Sequence, residues 1–257
     1  GKEAEEEDDE EHPVLGSVSE VFLYFKRSLH QCSAVDTGET LLHLAAAFQE
    51  ALVNYVEGLH KHVVELSRPR GGTARALSQA EERQVALVVN TCDYAADTMD
   101  QLEGTVRKAV DPALVEQVAY SAARDAVDSS IAAAQAALAA SILAKLEFAL
   151  NSLSKTKWAE VTAVGDQSSY VNSVQGAIQE SIPSLRARLP RPFFALLCDK
   201  VAAAVFPRFQ ALLLKSRKIS ESGVQQLLLD CHALKTLLLA LPTVEAKDAH
   251  KATGAGG

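Results

Sequence analysis

The chain has 257 residues, with 25 lysines and arginines against 33 aspartates and glutamates, which gives a formal net charge of −8. Eight of the carboxylates fall within the first eleven residues, so the rest of the chain is nearly neutral. A nearly neutral protein lacks the clustered cations that drive binding to phosphate polymers, and we therefore predict no nucleic-acid binding. Only 13 glycines and 8 prolines interrupt the sequence, which favours long helices with few turns.

The acidic opening, residues 1–13, predicts a solvated, disordered tail, because like charges repel and almost nothing apolar is available to bury. The alternative function for this segment is a docking tail for a basic partner. Ser17-x-x-Glu20 has the pattern of a capping box, and apolar residues then recur at helical spacing. A second helix is predicted from Thr37 to about Leu66.

Two more helices are predicted in the middle of the chain. A second capping-box pattern at Ser78 predicts the start of the third helix. Asp111 and Pro112 predict the start of the fourth, since proline is tolerated at the first helical position. The fourth helix has 13 alanines within residues 119–149, and such small side chains predict a central, closely packed helix. Its longest weakly polar run, residues 131–144, is shorter than the ~20 residues of a spanning helix, so no transmembrane segment is expected.

The polar stretch after Trp158 predicts a connection and a boundary near Gly165, which separates a bundle over 14–164 from a bundle over 165–243. Two helices follow this boundary, and Ser220 is predicted to cap a last one. The residues from 244 to 257 are predicted to be a disordered tail. No segment has the alternating pattern of a strand, so the fold class is all-α. The predicted apolar stripe of the last helix is Val224, Leu227, Leu228, Cys231, Leu234, Leu238 and Leu241.

No catalytic motif is present, and we predict neither an enzyme nor a bound cofactor or metal. His60 and His62 point about 200° apart on a helix, so they do not share a metal ion. The four cysteines include no CxxC pair, which favours reduced thiols in the cytosol. The alternative class is a small helical hydrolase or redox protein that uses Cys198 or Cys231, and it requires a thiol with a lowered pKa.

Two groups of basic residues lie near predicted helix ends. The favoured interpretation is that these cations complement helix dipoles. The alternative is a weak surface for acidic lipid headgroups or for an acidic partner helix. The residues of this candidate basic surface are Arg186, Arg188, Arg191, Lys215, Arg217 and Lys218.

Three stretches, in the same order along the chain, resemble one known family. The first is Phe25-Lys-Arg-Ser-Leu-His-Gln-Cys-Ser33, followed by Thr37-Gly-Glu39. The second is Lys157-Trp-Ala-Glu-Val-Thr-Ala-Val-Gly-Asp-Gln-Ser-Ser-Tyr-Val171, and the third is Val224-Gln-Gln-Leu-Leu-Leu-Asp-Cys-His-Ala-Leu-Lys-Thr-Leu-Leu-Leu-Ala-Leu-Pro242. Together they resemble the C-terminal portion of the vacuolar protein sorting-associated protein 53 family.

This resemblance implies a subunit of the Golgi-associated retrograde protein (GARP) complex and of the related endosome-associated recycling complex (EARP). The implied fold consists of long antiparallel helices in stacked, rod-like bundles. The implied function is vesicle tethering in retrograde transport from endosomes to the trans-Golgi network. The implied partners are the other GARP and EARP subunits, SNAREs and small GTPases. The implied location is cytosolic and peripheral at trans-Golgi network and endosome membranes. The alternative is a generic cytosolic helical scaffold with no trafficking role.

The matched motifs also supply candidate contact residues for partners. A structural interpretation competes with this one, because Gly165 and Asp166 are typical of a helix end and a cap. Asp230, His232 and Lys235 cannot all lie on a buried stripe, and they form either hydrogen bonds between helices or an exposed patch. The candidate partner-binding residues are Gly165, Asp166, Gln167, Ser168, Tyr170, Asp230, His232 and Lys235.

Overall fold

The computed structural model describes residues 12–69, 75–216 and 218–244. These residues form seven α-helices and three short 3-10 turns, and no strand occurs among them. The predicted all-α class is therefore confirmed. Both predicted tails, apart from residues 12, 13 and 244, lie outside the described residues, as does Arg217. The helices are α1 (Gly16–Ser33), α2 (Glu39–Ser67), α3 (Gln79–Ala109), α4 (Ser121–Lys155), α5 (Ser169–Arg186), α6 (Arg191–Leu213) and α7 (Glu221–Leu239).

The chain divides into two compact units by contacts. The first comprises the residues up to Glu65, together with Arg83–Ala134 and Arg188–Pro190. The second comprises Leu66–Glu82, Gln135–Ala187 and the residues from Arg191 onward. This division differs from the predicted boundary near residue 165. The long helices α3 and α4 each contribute to both units, and the polar connection lies inside the second.

The core of the first unit is built around aromatic side chains of α1 and α2. The rings of Phe25 and Phe48 stack with their centroids 4.4 Å apart. Phe22 meets Phe25 edge-on at 6.0 Å, a geometry that adds to the burial of apolar area. The helical spacing of these residues explains why one face of each helix is buried. The other buried side chains of this core include Val18, Leu29, Leu41, Ala45, Leu52, Met99, Leu102 and Val106.

Helix starts follow the predicted caps at Ser78 and at Ser220 and depart from them in two cases. Ser78 and Glu81 form the predicted capping box, in which Ser78 N–H donates to Glu81 Oε2 at 2.8 Å and Glu81 N–H to Ser78 Oγ at 3.3 Å. The Ser17 box is wrong, since α1 begins at Gly16 and the Ser17 hydroxyl bonds the Tyr55 hydroxyl at 2.8 Å. The helix predicted from Asp111 begins instead at Ser121.

Glu81 gives a pH-dependent prediction for the second unit. Its carboxylate pairs with Arg75 at 2.5 Å, and this hydrogen bond, together with the bond from Ser78 N–H, lowers the pKa of Glu81 to about 2. We expect Glu81→Gln to lower the free energy of unfolding by about 0.5–1 kcal/mol at pH 7. A lowered carboxyl pKa stabilises the fold above the unfolded value and ceases to do so as the pH falls through the folded value. The difference from wild type should therefore shrink between the ordinary glutamate pKa of 4.5 and about 2.

Urea unfolding at several pH values measures this difference. Glu57→Gln is a suitable control, because Glu57 forms only an exposed pair with Lys61 at 3.4 Å. A Glu81→Gln difference that stays constant between pH 5 and the lower limit of about 2 would contradict the ion-pair explanation.

Helix α4 is the one candidate for a membrane span among the described residues. The segment Val115–Lys155, which contains α4, is long and apolar enough to cross a bilayer by length and composition alone. Five large apolar side chains of its second half are nevertheless buried in the protein core, although Phe148 is exposed. A core helix of this length passes the same composition test, and we describe α4 as such a helix. The largest fully buried side chains of α4 are Leu138, Ile142, Leu146, Leu150 and Leu153.

Candidate functional site: the α4–α5 connection and helix α7

The connection between α4 and α5 is organised by Trp158, whose indole is only 2% exposed. Its ring N–H donates to the carbonyl of Leu153 at 3.1 Å, which turns the chain back after α4 ends. The carbonyl of Trp158 accepts the backbone N–H of Ser220 at 3.1 Å. A buried aromatic residue and a backbone hydrogen bond thus join this connection to the start of α7.

Ser220 caps α7, as the sequence predicted. Its hydroxyl oxygen accepts the backbone N–H of Gly223 at 3.0 Å, which satisfies one of the donors that a helix start leaves unpaired. The same hydroxyl lies 2.7 Å from the carbonyl of Val161, to which it donates. Ser222 adds a bond from its hydroxyl to the carbonyl of Thr162 at 3.2 Å. The cap of α7 is therefore also a link to the connection.

A second set of bonds, which we call the α7 clamp, joins the Gly-Asp-Gln-Ser motif to α7. Gln226 accepts the N–H of Gly165 at 2.9 Å and donates to the carbonyl of Asp166 at 2.7 Å. Asp230 accepts the N–H of Ser168 at 2.8 Å and a bond from Gln226 at 3.2 Å. The clamp consists of Gly165, Asp166, Ser168, Gln226 and Asp230.

Tyr170 lies next to the clamp at the start of α5. Its side chain is 2% exposed, and Asp230 is fully buried. Burial, followed by the electrostatic effect of Asp230, raises the pKa of the Tyr170 phenol far above its usual value. The phenol therefore stays neutral at every physiological pH. Asp230 binds the connection through Ser168, and neither buried residue is available on the surface to a partner.

Gly223 makes the close approach of α7 to the connection possible. A Cβ atom at this position would lie 2.6 Å from the carbonyl oxygen of Trp158 and 3.0 Å from Ile219. We expect Gly223→Ala to destabilise the protein by about 1–3 kcal/mol, because backbone has to move to make room. Gly176→Ala is the matched control. Gly176 is exposed on α5 with no atom within 4 Å of an added Cβ.

The control should stabilise the protein by about 0.5–1 kcal/mol, since alanine favours a helix interior. Chemical denaturation of both variants measures the pair of effects. We expect the two variants to change the free energy of unfolding in opposite directions. A Gly223→Ala variant as stable as wild type would show that the connection does not hold α7 in this close approach.

The buried face of α7 differs from the predicted stripe. Val224 and Leu228, which belong to the predicted apolar stripe, are 47% and 66% exposed. Gln226 and Asp230 are buried in their place, because their side chains satisfy backbone N–H groups of the connection. Cys231, also predicted to lie in the core, is half-buried.

The structure thus separates the candidate partner-binding residues into two groups. Tyr170 and Asp230 are buried, and Gln167 bonds Asn172 on α5. Gly165 and Asp166 bond Gln226 through backbone groups only, and both residues are exposed. His232 and Lys235 are exposed on α7. Gln226 was missed as a site residue, although it lies in the matched motif one turn before Asp230. Its i,i+4 spacing to a carboxylate is the signal that could have indicated it.

The described candidate basic residues lie at the end of α5, at and before the start of α6, and after the end of α6. Arg186 is the last residue of α5, where a cation complements the helix dipole, and it donates to the Val244 carbonyl at 3.4 Å. Arg191 begins α6, and Lys215 and Lys218 are exposed after that helix ends. Arg188 belongs to the other unit, where its carbonyl accepts a bond from Asn90 at 2.9 Å.

The thiols do not support the hydrolase or redox alternative. Burial raises the pKa of Cys198 to about 11, and it also raises the pKa of Cys231. A catalytic thiol needs the opposite shift. His62 bonds Gln84 at 3.2 Å, and across residues 12–69, 75–216 and 218–244 no group of three His, Cys, Asp or Glu side chains could hold a metal ion.

Comparisons with known proteins show which sequences the chain is similar to. No protein-family model matches the chain. Vacuolar protein sorting-associated protein 53 A of Arabidopsis thaliana is 30% identical over 249 residues, which are 93% of this chain and 30% of the relative. The Caenorhabditis elegans homolog of vacuolar protein sorting-associated protein 53 is 29% identical over 187 residues, or 71% of this chain and 22% of the relative. The chain therefore spans less than a third of the length of these curated relatives.

A solved structure shares the fold. The crystal structure of the C-terminal domain of the exocyst subunit Sec6p superposes with a TM-score of 0.70, covering 95% of this chain and 63% of that chain. At 12% identity this likeness shows the fold alone. The names of the two relatives describe vacuolar protein sorting, in agreement with the prediction that the chain is not an enzyme. The resemblance predicted from the sequence is confirmed, and over 93% of its length the chain is homologous to a segment of the vacuolar protein sorting-associated protein 53 family.

Proposed function

We propose that the chain is a non-enzymatic helical part of a subunit in a multisubunit vesicle-tethering complex. Its proposed role is retrograde transport from endosomes to the trans-Golgi network, as in the GARP and EARP complexes. The observation that carries the proposal is homology to vacuolar protein sorting-associated protein 53 over 93% of the chain. The fold shared with a domain of an exocyst subunit supports the same class of protein.

The proposed mechanism is binding alone. A tether that holds two membranes within reach raises the effective concentration of the proteins that fuse them, without chemistry of its own. Buried hydrogen bonds such as those of the α7 clamp support this role, because a surface presented to partners has to keep its shape. The proposed partners are the other complex subunits, SNAREs and small GTPases. The proposed location is cytosolic and peripheral at trans-Golgi network and endosome membranes.

Two exposed surfaces are the proposed contacts. The first is the solvent face of α7 around His232 and Lys235, where exposed apolar and polar residues lie side by side. The second is the candidate basic surface of the second unit, for which we retain Arg186, Arg191, Lys215 and Lys218. Acidic lipid headgroups or an acidic helix are the ligands that such cations attract.

Affinity purification tests the proposed function. The endogenous full-length product, tagged at its locus, is purified and the co-purifying proteins are identified by mass spectrometry. We expect the other tethering-complex subunits to be recovered. A stable, soluble bait that recovers none of them would overturn the proposal and reduce the resemblance to shared architecture.

Point variants assign the contact. Lys235→Glu combined with His232→Glu should weaken recovery of any partner that binds the α7 face, while Lys61→Glu on α2 should not. Lys61 is a fair control because it is also an exposed lysine, 74% accessible at its side chain. Equal recovery with both variants would remove the α7 face from the proposed contacts.

A further inference from the structure

The solvent face of α7 has a symmetric pattern. Its residues Glu221, Val224, Leu228, His232 and Lys235 follow one another at spacings of three, four, four and three. At about 100° per residue these positions lie within an arc of about 80°, so they form one stripe on the helix. All five are exposed. We call them the α7 stripe.

Leu228 is the centre of the α7 stripe, and the pattern is the same in both directions from it. An identical helix laid antiparallel across the stripe would bring Leu228 against Leu228. Val224 would then meet His232, and Glu221 would meet Lys235, twice each. Such a self-complementary surface is what a two-fold contact requires, since residue i contacts residue j and j contacts i.

We propose that the α7 stripe is a contact between two copies of this chain. Charge complementarity is our reason for proposing a second copy as the partner, because the acidic end of the stripe faces the basic end of an antiparallel copy. The central leucines supply the apolar part of the contact; Leu228 is 66% exposed in the single chain. The terminal segments outside the described residues are poor alternatives. Neither residues 1–11 nor residues 245–257 contain a leucine, isoleucine, valine or phenylalanine to cover this face.

The contact is expected to be weak. One pair of helices of this length buries less than the roughly 1,200 Å² that characterises a stable interface. Dimerisation should therefore depend on concentration, and it should weaken at high salt because the two ion pairs are exposed. The inference deepens the proposed function by naming an occupant for one of its surfaces, and its test is independent of the recovery of tethering subunits.

Sedimentation equilibrium of the 257-residue chain at low salt, over a range of concentrations, is the test. A monomer–dimer equilibrium is expected. Glu221→Lys alone, or Lys235→Glu alone, should weaken dimerisation by at least about tenfold, because each places like charges opposite one another at two places. An equimolar mixture of the two single variants should regain the wild-type association, since the lysine introduced in one copy then faces the glutamate introduced in the other.

Leu228→Arg should abolish dimerisation by placing two cations on the two-fold axis. Phe206→Arg is its matched control, because Phe206 is a large apolar residue that is 65% exposed on a different helix, α6. Circular dichroism verifies that every variant retains its helix content. Three outcomes would each overturn the inference: a monomer at all concentrations, no recovery in the mixture of charge variants, or equal effects of Leu228→Arg and Phe206→Arg.

Discussion

Replacing Trp158 with alanine is expected to lower the free energy of unfolding by about 3–5 kcal/mol, the range for removing a buried tryptophan. The indole is 2% exposed, and its N–H satisfies the carbonyl of Leu153 at 3.1 Å. Truncation leaves a cavity beneath the connection and removes the donor of that carbonyl. It also loosens the turn whose backbone binds Ser220, so the start of α7 should open as well.

Two variants separate packing from hydrogen bonding. Trp158→Phe keeps most of the apolar area and loses the indole N–H, so we expect a smaller loss of about 1–2 kcal/mol. Phe148→Ala truncates an aromatic residue that is 83% exposed, and it should change stability by less than about 0.5 kcal/mol. Urea unfolding gives the three values. Hydrogen exchange of Gly223 N–H, which is bonded to the Ser220 hydroxyl, reports whether α7 opens.

If Trp158→Ala and Phe148→Ala cost the same, the indole does not anchor the connection. If Trp158→Ala lowers the free energy of unfolding but does not speed hydrogen exchange of Gly223 N–H, the cavity is local and α7 remains capped. The first result would contradict the structural account of the motif, and the second would limit it to the turn itself.

The orientation of α7 could not be predicted from its sequence, and the reason lies in its composition. Leucines occur on all sides of this helix, so apolar periodicity does not distinguish one face from another. Which face of α7 is buried is determined instead by backbone N–H groups of a segment some 60 residues earlier. Gln226 and Asp230 accept hydrogen bonds from these groups. Gln226 and Asp230 are buried because they bond this distant segment, and the spacing of apolar residues within α7 does not indicate that bond.

Helix caps could also be predicted only in part from the sequence, again because of partners that are distant along the chain. Ser17 and Ser78 begin the same four-residue pattern, yet only Ser78 forms the capping box. The hydroxyl of Ser17 has a competing partner, Tyr55, which lies 38 residues away. The seven helices could be predicted because most of their buried faces follow helical spacing. Caps and connections could be predicted only where no tertiary partner competes.

Lys145→Met is expected to cost about 3 kcal/mol, the lower end of the range for breaking a buried ion pair. Lys145 Nζ lies 2.7 Å from the Glu82 carboxylate, whose side chain is 4% exposed. Ser141 donates to the same carboxylate oxygen at 2.9 Å. Methionine keeps the stem of the lysine but leaves a buried carboxylate with one hydroxyl as its remaining donor. Glu82 and Lys145 themselves line a cavity of ≈ 280 Å³, which is large enough for water, and solvation there should moderate the loss.

The double variant Glu82→Gln/Lys145→Met should recover most of this loss, because removing both charges removes the cost of burying one of them alone. A neutral glutamine still accepts the bond from Ser141. Lys61→Met, which breaks the exposed pair with Glu57, should change stability by less than about 0.5 kcal/mol and serves as the control. Thermal and urea unfolding measure all three variants. If Lys145→Met resembles Lys61→Met, water already solvates Glu82, and the pair joins α3 to α4 without stabilising the second unit.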